Sequence, residues 1–335
     1  KKRISIKQSF LAAFFMMNKI ALIYMGGTFG CVGEPLAPLA ATEFLPLLQQ
    51  QLPAHLNIHC FPAPRIQDSS AYTAVDWLLL IQYIQNLQCQ NFQHFIILHG
   101  TDTLSYAAAT LSRFLQQSCH VIVTGSQQPL LNIQGTHVRE KTDASANLIT
   151  ALNAIQTVEA GIYVAFYGQI LHAASSLKIH TTDLNAFASQ SRQKTRQHSQ
   201  AAFIVHDKHL QRAEHLSIIN WMMQPIHATP LNQALQSLFT SPPHFLILQG
   251  YGSGNLAVND EIQQTLQQLY AQGCGLILNT QVPFGELQQQ YAISDWMNHA
   301  PILHSDAESH ADLYAKILKM YLQYDTVDQW YAHWY

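Results

Sequence analysis

Four stretches of the chain combine glycines with side chains able to do chemistry. They are Met25-Gly26-Gly27-Thr28-Phe29-Gly30, His99-Gly100-Thr101-Asp102-Thr103, Thr124-Gly125-Ser126-Gln127 and Gln249-Gly250-Tyr251-Gly252-Ser253-Gly254-Asn255. Each directly follows a short apolar run. Glycine lets the backbone turn tightly and come close to a ligand. A threonine set behind glycine at such a point is a candidate hydroxyl nucleophile, which singles out Thr28 and Thr101. That hydroxyl is weak at its free pKa and needs a base or a polarising neighbour. A lysine can be the base, as in Ser-Lys variants of the catalytic triad. It must be neutral to accept a proton, and burial favours that form. Lys178 is the only Lys or Arg between Lys141 and Arg192, in the polar segment Ser175-Ser176-Leu177-Lys178. Asp102, next to Thr101, is placed to orient such a lysine, although its charge opposes neutralising it. Spacing alone favours a solvated loop lysine.

Other chemistries fit poorly. The Gly26–Gly30 stretch is not GxGxxG, and Gly250–Gly254 lacks the third glycine at dinucleotide-binding spacing. No phosphate-binding GxxxxGK[ST] and no GxSxG elbow occur. The pairs His55/His59 and His206/His209 have helical spacing but not the HExxH form of a zinc helix. The balance of 17 basic against 20 acidic residues, a net charge of −3, offers no basic patch for nucleic acid. Five cysteines, an odd number without CxxC spacing, argue against a disulfide framework and fit a reducing cytoplasm.

The elements that must position these residues alternate. Ile20–Met25, Phe95–His99, Val121–Thr124 and Ile162–Tyr167 read as strands buried on both faces of a parallel sheet. Between them lie amphipathic helices: Thr73–Gln88, opened by Thr73 and Asp76 at capping-box spacing, about Ser105–Gln117, and about Thr142–Ile155. Such βαβ alternation predicts a doubly wound sheet, whose ligands sit outside the carboxyl ends of the strands. The predicted fold is α/β in two domains: a larger N-terminal doubly wound, mostly parallel sheet over 17–187, and a smaller C-terminal α/β domain over 214–335. The polar stretch 188–213 reads as a linker. In the smaller domain, strands are expected at Leu216–Trp221, Phe245–Gln249 and Gly275–Asn279, with helices at Leu231–Leu238, Glu261–Gln272 and Ala311–Gln323. Residues 1–16 imitate a signal peptide, but Asn18 and Lys19 lead straight into the first strand. They are read as an extension upstream of the natural start. No apolar run reaches the roughly 18 residues of a membrane span.

Taken together, these motifs resemble bacterial L-asparaginases of the cytoplasmic type I group. The resemblance rests on Gly26-Gly27-Thr28 after the first strand and on His99–Thr103, HGTDT. It is extended by Asp68-Ser69-Ser70, Val121–Leu130, Thr142–Leu148, the Lys178 segment through Asp183–Phe187, and Leu248–Asn255. It implies Thr28 as first nucleophile and Thr101, Asp102 and Lys178 as a second constellation that activates Thr28 or water. It further implies substrate contacts at Gly27, Asp68, Ser69, Ser70, Gly100, Thr101 and Asp102. Asp102 would bind the α-ammonium and Ser69 the α-carboxylate. Asn255 would reach a partner's site in a homodimer or homotetramer. Neither a metal nor an organic cofactor is implied. The implied reaction is hydrolysis of L-asparagine to L-aspartate and ammonia. Alternatives are a broad glutaminase-asparaginase and a ligand-binding sensor. The amidotransferase subunit acting on misacylated tRNA shares these motifs, but with an added domain and a basic surface. One position departs from the family pattern: the tyrosine expected on the lid Phe29–Pro38 is matched by Leu36. Tyr24 and Tyr72 are candidates to supply the missing hydroxyl.

Overall fold

A computed structural model of the chain describes residues 18–190, 201–288 and 292–335. The proposed extension 1–16 and the centre of the expected linker lie outside the described residues. The chain divides into two compact units, residues 1–210 and 211–335.

The first unit is built on β1 (Ile20–Gly26), which is buried along its whole length. The turn Thr28–Gly30 leads into a hairpin of β2 (Cys31–Val32) and β3 (Ala37–Pro38), then α1 (Ala41–Gln49) and β4 (Ile58–Gln67). Next come α2 (Ala74–Gln88), β5 (His94–Leu98), α3 (Leu104–Leu115), β6 (His120–Thr124), α4 (Asp143–Ala154) and β7 (Gly161–Phe166). After β7 the chain turns back as β8 (Gln169–His172), and β9 (Ser176–Lys178) pairs with β10 (Phe187–Ser189). The main sheet runs β4-β1-β5-β6-β7-β8, parallel except for the last pair. Its two-residue periodicity sends Ile20, Leu22 and Tyr24 to one face, against Phe44 and Leu48 of α1 and Leu148 and Leu152 of α4. The helices α2 and α3 pack against each other, α2 on β4 and α3 on β6 and β7. The capping box of Thr73 and Asp76 is present, and Thr142 caps α4.

In the second unit α5 (Asp207–Ala213) spans the boundary. There follow β11 (Ile218–Met222), α6 (Ala228–Ser237), β12 (Phe245–Gly250), α7 (Asp260–Ala271), β13 (Gly275–Thr280), β14 (Leu303–His304), α8 (His310–Gln323) and α9 (Val327–Ala332). Its four strands are parallel, in the order β11-β12-β13-β14.

The expected architecture is therefore present, with differences of detail. The linker expected over 188–213 is partly structured: Phe203 donates its amide to Phe114 and stacks edge-on against its ring, and Val205 donates to Gln85. The strand β4 was missed because Pro62 and Pro64 interrupt it. It lies at a sheet edge, where prolines that cannot donate are tolerated. Between the strand expected at Ile162–Tyr167 and the Lys178 segment the chain reverses at Tyr167 and Gly168, both at positive φ, into the antiparallel β8. Among the described residues no helix is long and apolar enough to cross a membrane.

Candidate active site

The strand order reverses between β1 and β5. From β1 the chain moves outward to β4, and from β5 it moves the other way to β6 and β7. In an open α/β sheet the crevice for ligands forms at this reversal, beyond the carboxyl ends of the two strands. The register pairs Tyr24 with Leu98, so Thr28 and Thr101 both emerge just past the same edge.

Close approach of the two turns depends on glycine. Gly27 has φ +73°, and a Cβ there would overlap the backbone of Gly100. A Cβ on Gly100 would sit 2.5 Å from Ser69 Oγ. Hence the turns after β1, β4 and β5 interlock, and the expected residues Gly27, Thr28, Ser69, Gly100 and Thr101 lie together beyond the same sheet edge. Thr28 opens the Thr28–Gly30 turn and is half-buried. In the β4 turn, Asp68 accepts from the amide of Ser70 at 2.8 Å and from its hydroxyl at 2.6 Å. These bonds hold the Asp68 carboxyl below its usual range. Ser69 is buried, and its carbonyl accepts from the Thr103 hydroxyl at 2.7 Å.

Lys178 is not a solvated loop lysine. It ends β9, and its Nζ donates to Thr101 Oγ1 and to Asp102 Oδ1, each at 2.9 Å. Its amide donates to Ser105 Oγ on the first turn of α3. Thr101 in turn donates to Gln127 Oε1 at 3.4 Å. Gln127 Nε2 reaches the carbonyls of Thr181 and Asp183 in the loop after Lys178. Behind it, Asp143 receives the amides of Gln127 and Gln128, and Asn147 braces Gly125. The roles of Gln127 and Ser105 were not assigned from sequence. Gln127 stands in one of the glycine turns, but its partners lie 26 and more than 50 residues away. Only the fold reveals them.

Asn255 lies in the second unit. There its side chain donates to Ser253 in the same turn and accepts from the distant Ser294. Leu36 is half exposed on the β2–β3 hairpin. The hydroxyls of both proposed substitutes bond to backbone carbonyls. Tyr24 donates to the Leu39 carbonyl and Tyr72 to the carbonyls of Met25 and Arg65, and burial raises both phenols.

A lysine joined to a threonine and an aspartate, beside a second threonine on an interlocked glycine turn, is equipped for acyl transfer by a hydroxyl. Comparison with known proteins gives the same class. The family model described as "Asparaginase, N-terminal" matches residues 19–210, so the chain belongs to the asparaginase family and is an amide hydrolase. It is 26% identical over 306 residues to L-asparaginase 1 of Escherichia coli K12, covering 85% of this chain and 86% of that one. Two solved structures share the fold. One is the thermostable L-asparaginase of Thermococcus kodakarensis, with TM-score 0.75 and 21% identity, covering 93% of this chain and 95% of that one. The other is L-asparaginase I of Vibrio cholerae, with TM-score 0.73 and 22% identity, covering 94% and 96%.

Proposed function

We propose that the protein hydrolyses the side-chain amide of L-asparagine to L-aspartate and ammonia, with Thr28 as the nucleophile. The observation that carries this reading is Lys178 Nζ at 2.9 Å from both Thr101 and Asp102, at the sheet reversal that also carries the Thr28 turn. Thr28 Oγ1 attacks the amide carbon, and backbone N–H groups of the two turns stabilise the oxyanion. Thr101, with Lys178, relays a proton to the departing nitrogen, which leaves as ammonia. Water then cleaves the β-aspartyl ester. In the alternative route the same pair directs water onto the amide, and no ester forms. Asp102 binds the α-ammonium through charge. Ser69, carried on the turn that Asp68 closes, receives the α-carboxylate.

The same reading places the enzyme in the cytoplasm, consistent with five cysteines that are all unpaired. It also makes the enzyme a homodimer or homotetramer in which Asn255 completes the partner's site. Unchanged kcat and KM for Asn255→Ala in an intact oligomer would remove that contact. The exposed Leu36 favours a second reading, a sensor that binds asparagine or aspartate without turnover.

Ammonia release from L-asparagine and L-glutamine, measured in parallel, tests the proposal. Turnover of asparagine alone supports it. Comparable turnover of both moves the reading to a broad glutaminase-asparaginase, because one methylene in a pocket is worth only ~1–3 kcal/mol. Binding without ammonia release establishes the sensor.

A further inference from the structure

The turn that carries Thr28 is fixed almost entirely through its carbonyls. Tyr72 donates to Met25, Gly30 to Gly27 at 3.1 Å, Leu130 to Phe29 at 3.0 Å and Leu39 to Gly30 at 2.9 Å. Two further bonds come from a single residue on either side of the nucleophile. The Cys31 thiol donates to the Gly27 carbonyl at 3.1 Å, and the Cys31 amide donates to the Thr28 carbonyl. Cys31 is 5% exposed, and its thiol is pushed up to about 11, first by burial and then by the charge of Asp68. At neutral pH it is therefore a protonated donor rather than a reactive thiolate. Tyr24 and Tyr72 have their hydroxyls committed to backbone carbonyls, those of Gly30 and Met25 among them, and the lid hairpin offers only Leu36 where a hydroxyl is expected.

We propose that Cys31 is the positioning residue for Thr28: its thiol and amide together clamp the carbonyls of Gly27 and Thr28 and fix the direction in which the Thr28 hydroxyl projects. This rests on Thr28 being the nucleophile of the proposed reaction. The bond acts on Gly27, whose position against Gly100 admits no Cβ. A loosened Gly27 would separate Thr28 from Thr101, and small misplacements of reacting groups are costly in rate. The clamp acts on the turn before substrate arrives, so its loss falls on kcat rather than on KM.

Two substitutions separate positioning from packing. Cys31→Val keeps about the same volume on a β-strand but removes the donor, and Cys31→Ser keeps a donor on a smaller side chain. If the thiol positions Thr28, Cys31→Val lowers kcat for asparagine about three- to tenfold with KM nearly unchanged, the size of one lost neutral hydrogen bond. Cys31→Ser then stays within about twofold of wild type by the same measure. If Cys31 only fills space, the ranking inverts: Cys31→Val keeps full kcat, and Cys31→Ser loses thermal stability and activity together. That inversion, or equal kcat in all three proteins, overturns the proposal. Thr28→Ala, assayed alongside, distinguishes the two levels. An active Thr28→Ala defeats the nucleophile assignment itself. An inactive Thr28→Ala with a fully active Cys31→Val defeats only the role of Cys31.

Discussion

The two units present similar edges and use them differently. Both have parallel strands ending in glycine turns that carry hydroxyls and amides. In the first unit the turns after β1, β4 and β5 interlock, and side chains from distant segments meet: Thr101 with Lys178, Thr103 with Ser69, Gln127 with Thr181 and Asp183. In the second unit distant segments also meet, but through neutral side chains that bond mostly to backbone carbonyls. Thr280 donates to the Gly252 carbonyl, Gln281 to the carbonyls of Met223 and Gln249, and Ser294 to Asn255. The strand orders differ as well. The first sheet reverses direction between β1 and β5 and opens a crevice there, whereas the order β11-β12-β13-β14 never reverses. A glycine turn at a strand end is thus an opportunity for a site, and the reversal decides where a crevice opens beside it.

The contrast can be broken at several points. The largest expected effect is on catalysis at the converging edge. Thr101→Val and Lys178→Met should each lower kcat for asparagine by about 10²–10⁴-fold, as loss of a proton-transfer partner does. Circular dichroism should be unchanged, and full activity in either variant would detach the constellation from the chemistry. Next in size, Gly27→Ala combines positive φ with overlap on Gly100. It should cost about 3 kcal/mol or more in chemical denaturation of the first unit. A variant as stable as wild type would show that the turns do not interlock.

A third effect is on acid stability. Burial pushes His99 down to about 4 from the usual 6.5. The unfolded chain then takes up this proton below pH 6.5, while the folded chain does not until about pH 4. Stability is fully present above pH 6.5 and falls as the pH drops through that window, by up to ~3 kcal/mol from this group. In the second unit His244, His304 and His310 are also lowered by burial, so acid weakens both units. Replacing His99 with Asn should flatten the slope of the first unit alone; an unchanged slope would assign acid sensitivity elsewhere. The smallest effect is the matched control. Gly252→Ala, with φ +50° and open space at its Cβ, should cost only about 1 kcal/mol.

Much of this arrangement was legible in the sequence, for identifiable reasons. The central strands β1, β5, β6, β12 and β13 are continuous apolar runs, because both faces of a parallel sheet are covered. The turn that carries Thr28 and HGTDT were legible because glycines stand there where close contact requires them. The edge strand β4 was hidden by its prolines and mixed polarity, since one side of an edge needs no ladder partner. The setting of Lys178 was hidden by the reversal at Tyr167-Gly168, which no apolar period announces. Gln127, Ser105 and the clamp at Cys31 draw their roles from partners that local pattern cannot specify. The partners of Tyr24 and Tyr72 were hidden for a related reason. A buried phenol must spend its hydroxyl on whatever acceptor the fold brings near, and here the acceptors are backbone carbonyls.

The most direct test is the rate of ammonia release from L-asparagine by wild type and Thr28→Ala at equal concentration, with folding checked by circular dichroism. Rapid release by wild type and a loss of about 10³-fold or more in a folded Thr28→Ala is the expected result. Retention of more than about a tenth of the wild-type rate by Thr28→Ala would contradict a threonine nucleophile at the sheet reversal.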